Sequence, residues 1–240
     1  MEALTTLALG LGTAWASGLN LYATVLVLGG LDLFGFIDLP PELEVISSFW
    51  VILAALGLYA VEFIADKIPG VDSLWDALHT FIRIPAGAFL AAGALGGTGL
   101  DFGLDTGFGL DTQMLSGDLG TILALLAGGT VAGASHLTKA GSRAAINTSP
   151  EPFSNMFASV VEDALVFGGL FLALFQPLVF VGLFVVFLLL AIWLLPKIWR
   201  GLRALFGYRE SKVFGRPGMA AGPPPEDIQP DFPKLPRRDP

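Results

Sequence analysis

The sequence predicts an all-α fold, a polytopic membrane helix bundle of about six transmembrane helices. Two observations of composition carry this. Of 240 residues, 54% are hydrophobic and only 14% charged, where a soluble domain carries about 25%. The mean hydropathy is +0.71. The third observation is the distribution: the apolar residues gather into six stretches near the ~20 residues a helix needs to cross the hydrocarbon core. These run over 4–31, 47–65, 86–100, 119–137, 153–174 and 178–195.

The first stretch, beginning MEALTTLALGLG, lacks a basic n-region and is longer than a signal-peptide core, so it is expected to be retained. Its middle carries Gly10, Gly12 and Gly18, small residues that let helices approach, and Asn20 at membrane depth. The second ends in Glu62, Asp66 and Lys67 before Pro69-Gly70. The third is short and follows Pro85, which predicts either a tilted short helix or the membrane half of a helix broken at that proline. Before it, Ser73 and Asp76 match a capping box. The fourth repeats the small-residue texture of the first, and Ser149, Pro150 and Glu151 read as the N-cap and first turn of the fifth. The sixth is followed by a basic amphipathic juxtamembrane segment, 197–212, and then by 213–240, with eight prolines and no apolar period, which is expected to be disordered. The domain plan is thus a bundle over 1–196, the juxtamembrane helix and the tail.

Lys and Arg set the orientation. Connections 32–45 and 101–118 hold acids and no basic residue; the second repeats Gly-Leu-Asp three times without EF-hand spacing. All 13 basic residues fall on the other side, which predicts an inner-membrane protein with both termini cytoplasmic. Lys197, Arg200 and Arg203 are placed to meet anionic inner-leaflet lipids. Net charge is −8 with the acids in loops, which argues against nucleic acid. Without cysteine there is neither a disulfide nor a thiolate metal site.

Charge at membrane depth is costly and marks function. Glu62 lies roughly 22 Å along its helix from residue 47 at about 1.5 Å per residue, with Asp66 one turn on. Glu162 and Asp163 stand about three turns into the fifth stretch. Glu62, Asp66, Glu162, Asp163 and Asn20 are therefore the candidate ion- or substrate-binding residues. Asp72, Asp76, His79 and Arg83 form one polar stripe, either a solvated face or the wall of an aqueous vestibule; with His136, Lys139 and Arg143, which share a helical face, they form the expected cytoplasmic vestibule. LALGLGTAWAS in the first stretch resembles LALLAGGTVAGAS in the fourth, which pairs Glu62 with Glu162 and suggests a three-plus-three inverted repeat.

The segments ADKIPGVDSLWDALHTFIR with PAGAFLAAGAL, and HLTKAGSRAAINTSPEPFSN, resemble the signature stretches of a bacterial integral inner-membrane family catalogued as a domain of unknown function (DUF4126-like). The resemblance covers about residues 3–205 and implies an integral membrane protein, with no activity, cofactor or catalytic residue to carry over. On the residues themselves, the leading reading is a transporter or channel for a small ion or solute in which buried carboxylates exchange protons. The alternatives are a structural or assembly protein whose acids pair with Lys and Arg between helices, and a metal-dependent enzyme acting on a lipid phosphate. No compact carboxylate motif or activated nucleophile favours the enzyme. The sequence names neither metal nor cofactor, and it is compatible with a homo-oligomer.

Overall fold

The computed structural model describes residues 2–96, 118–148 and 152–214. The Gly-Leu-Asp connection, the N-cap expected at Ser149 to Glu151 and the proline-rich tail from 215 lie outside the described residues. Within them the chain is helical throughout: α1 Glu2–Leu33, a 3-10 helix Pro41–Ser47, α2 Phe49–Ala65, α3 Val71–Gly96, α4 Asp118–Ile146, α5 Pro152–Phe175 and α6 Pro177–Phe214. The described residues up to Leu202 form one compact unit, and those from Arg203 belong to a second. Five helices are long and apolar enough to cross a membrane, and the 3-10 helix with α2 forms a sixth candidate bent by 63°. The protein is a multi-pass helical membrane protein.

Two elements depart from the sequence expectation. The third span does not begin at Pro85: α3 runs from Val71 through that proline without a break. Proline removes one N–H from the ladder, a local loss that a membrane helix tolerates when its neighbours hold it on both sides. The first span, in contrast, is not a single helix. Asn20 adopts extended backbone, φ −150° and ψ 99°, inside α1. Its Oδ1 accepts the Ala23 N–H at 2.9 Å, which caps the second half-helix, and its carbonyl accepts the Thr24 hydroxyl at 2.8 Å.

α1 is the central element, packed against α2, α3, α4 and α5. Close approach depends on glycines that leave no room for a side chain. A methyl at Gly18 would land on the Ala132 carbonyl and Ser135 Oγ of α4; one at Gly87 would strike Ala132 and Ser17; one at Gly128 would strike Ala91. These contacts bring the backbones of α1, α3 and α4 together. Outward, the large apolar side chains are exposed, among them Phe81, Phe153 and Ile192, as helices facing lipid require.

Gly18→Leu is expected to destabilise the bundle by about 1–3 kcal/mol or more, because the added atoms meet backbone. Gly57→Leu, at a position with open space around it, serves as the control. Thermal unfolding in detergent that ranks the two variants together would refute the packing argument.

Candidate functional site

Where α2 ends and α3 begins, the sequence concentrates acids, and the bundle folds those acids inward against the basic residues of α4. Glu62 lies in the last turn of α2 and is fully buried; Asp66 follows at its C-terminus. α3 contributes Asp72, Asp76 and Arg83 at helical spacing, and α4 contributes His136, Lys139 and Arg143. None of these eight residues is more than 3% exposed. Glu162, on α5, closes the cluster from the opposite side with 13% of its side chain exposed.

Lys139 is the hub. Its Nζ donates to Asp66 Oδ2 at 2.9 Å, to the Leu19 carbonyl at 3.1 Å and to Glu62 Oε1 at 3.4 Å. Glu162 Oε2 and Asp76 Oδ1 stand at 3.7 and 3.8 Å. The Leu19 carbonyl is available because the chain leaves helical geometry at Asn20.

Two guanidinium groups flank the ammonium. Arg83 donates to Glu62 Oε1 at 2.6 Å and to Asp76 Oδ1 at 2.8 Å. Arg143 grips Glu162 with both arms, Nε to Oε1 at 3.1 Å and Nη2 to Oε2 at 2.6 Å. Its Nη1 donates to the Asp66 carbonyl and to both oxygens of Asn155. Asp72 accepts from the Gly70 and Ser73 backbone and from Asn147 at 2.9 and 3.0 Å, which ties the α2–α3 connection to the end of α4.

The histidines bridge neighbouring groups through both ring nitrogens. Arg83 Nη1 donates to His136 Nδ1 at 3.3 Å, so the proton of His136 sits on Nε2 and is donated to Thr80 Oγ1 at 2.8 Å. His79 Nδ1 donates to the Trp75 carbonyl and its Nε2 accepts from Tyr22 at 2.9 Å, while its ring stacks on Trp75.

Within this cluster five carboxylates, Glu62, Asp66, Asp72, Asp76 and Glu162, face three cations, Arg83, Lys139 and Arg143. Fully ionised, it holds two negative charges in excess. Asp72 and Glu162 have every oxygen engaged. The other three share two cations, and each keeps a buried oxygen with no hydrogen-bond partner: Glu62 Oε2, Asp66 Oδ1 and Asp76 Oδ2. Among the described residues no group of three or more His, Asp or Glu has the arrangement of a metal site.

The sequence-predicted residues therefore fall into one assembly rather than a central site and a separate vestibule. Glu62, Asp66 and Glu162 meet at Lys139. The stripe Asp72, Asp76, His79 and Arg83 is buried against protein, not solvated, because α1 and α4 cover it. Asp76 spends its carboxylate on Arg83 rather than on a capping box, since α3 already starts at Val71. Asp163 turns to α1, where it accepts from Asn20 at 3.3 Å. Lys67 donates to the Phe63 carbonyl and lies over the Phe63 ring, outside the cluster, and burial lowers its pKa. The sequence reading missed Thr80, Asn147, Asn155 and Tyr22. Asn147 and Asn155 stand within one of the charged signature stretches, and that proximity was the available signal.

A family model described as a domain of unknown function (DUF4126) matches residues 7–197. The chain belongs to that family. The DUF4126 region takes in every member of the charge cluster. No curated protein and no solved structure matches the chain.

Lys139→Met leaves four carboxylates around an apolar side chain. It is expected to destabilise the protein by about 3–5 kcal/mol, the range for breaking a buried ion pair from one side, with Asp66→Asn in the same chain restoring part of the loss. Detergent melting curves in which the single and double variants match the wild type would show that Lys139 does not hold the acids.

Proposed function

We propose that this is a membrane transporter or channel for a small ion or solute, coupled to protons, with the Lys139-centred carboxylates as its central site. The observation that carries the reading is the excess of two buried carboxyl groups over cations together with the unpartnered oxygens on Glu62, Asp66 and Asp76. Uncompensated charge at that depth is far costlier than protonation, so the cluster is expected to hold protons or a monovalent cation and to exchange them when an opposing ion arrives. Asn20, at the break in α1, and Asp163 on α5 border the same region, and discontinuous helices of this kind supply ion sites in transporters. The pairing of Glu62 with Glu162 in a three-plus-three inverted repeat is supported by their placement, both within 3.7 Å of the same ammonium.

In this reading Arg83, His136 and Arg143 belong to the site itself, and His79 borders it. The chain sits in the inner membrane with both termini inside, and Lys197, Arg200 and Arg203 contact anionic lipid head groups. Lys197 and Arg200 are exposed, as such contacts need. The bundle is taken to span 1–196, with the juxtamembrane segment and tail as separate parts.

A second reading has a specific observation in its favour. Each cation binds acids on other helices, Arg83 to α2, Lys139 to α2 and Arg143 to α5, so the cluster could serve assembly alone. It leaves the charge excess without a role. The lipid-phosphate enzyme is weaker again, because the carboxylates that would hold a metal are occupied by Arg and Lys.

The deciding measurement is proton flux in proteoliposomes loaded with a pH-sensitive dye under an imposed pH gradient. Wild-type protein is expected to dissipate the gradient, and Glu62→Gln with Glu162→Gln to slow it by about tenfold or more. Vesicles holding correctly folded wild-type protein that behave like empty ones would favour the assembly reading.

A further inference from the structure

Beside the charge cluster, α1, α4, α5 and α6 enclose an apolar groove of about 740 Å³. This volume is within the ~300–1,000 Å³ of small-molecule sites. Its floor is aromatic: Trp15 meets Phe180 and Phe187 edge-on at centroid distances of 6.3 and 5.9 Å, and Phe184 stacks on Phe180 at 5.8 Å. Phe157, Leu183 and Leu190, on its lining, are exposed apolar side chains, so the groove is reached through the lipid-facing surface. Lys139 and Glu162 are its charged members.

These two groups do not present themselves equally. The Lys139 side chain is 1% exposed and faces four carboxylates within 3.8 Å, whereas Glu162 is 13% exposed. Behind them the cluster holds two more carboxylates than cations. The field at the polar end of the groove is negative, and aromatic faces add attraction for positive charge. An anionic head group would meet that surplus, while a cationic one offsets it with its own charge, sharing the Glu162 carboxylate with Arg143.

We infer that the groove binds an amphipathic organic cation, an ammonium or phosphonium centre on an apolar body, with the charge at Glu162 and the body against Trp15, Phe180 and Phe184. This rests on the transport reading, for which it names the substrate class.

Gly168 provides a test that leaves the charges alone. It lines the groove, and a Cβ there meets nothing within 4 Å, so Gly168→Leu puts bulk into the groove without touching backbone. Binding of radiolabelled tetraphenylphosphonium to the purified full-length protein is measured by equilibrium dialysis. Saturable binding is expected, weakened about tenfold or more by Gly168→Leu and by Glu162→Gln, and not displaced by dodecanoate. Equal affinity in the wild type and Gly168→Leu would overturn the site, a result that stands even if Glu162→Gln fails to fold. Displacement by dodecanoate would overturn the cationic class. Proton flux in the liposome assay without phosphonium binding removes the substrate class and leaves the transport reading; phosphonium binding without flux supports the site and removes the transport reading.

Discussion

The bundle closes on one ammonium group. Lys139 reaches Glu62 and Asp66 on α2, Asp76 on α3, Glu162 on α5 and the Leu19 carbonyl on α1, so five helices have a stake in one atom. No neutral side chain could replace it, because the four carboxylates around it would then repel one another in a medium that screens poorly. The break at Asn20 and the glycine contacts of α1 with α4 serve the same end. The first frees a carbonyl at the right depth, and the second brings α4 near enough to use it.

Much of this was legible in the sequence, for identifiable reasons. Apolar length and the placement of Lys and Arg gave the helices, since both are one-dimensional signals. The positions of Glu62 and Glu162 along their helices followed from counting residues. The direction of the Asp72–Arg83 stripe did not, because a polar face has the same period whether water or a basic partner helix covers it. The cations that decide the matter, Lys139 and Arg143, lie more than fifty residues away.

The break at Asn20 was also hidden. No proline marks it, and the asparagine caps its own interruption through a local bond that any helical asparagine could forgo. Pro85 gave the opposite lesson: a residue expected to precede or break a helix sits inside a continuous one. In both cases tertiary packing outweighed local propensity, as it does where neighbouring helices rather than water surround the backbone. Thr80, Asn147 and Asn155 escaped notice because their importance lies in what they satisfy, and a hydrogen-bond partner leaves no spacing pattern.

The order in which the cluster appears along the chain bears on how the protein is made. Glu62, Asp66, Asp72 and Asp76 all precede Lys139, and Arg83 is the one basic member of the cluster synthesised with them. A nascent chain that has delivered only α1 to α3 therefore holds four acids against a single guanidinium. The remaining cations of the cluster come only with α4, which brings the ammonium and the second guanidinium. The charge balance of the first half of the cluster is thus completed by residues that follow the connection at 97–117 in the chain.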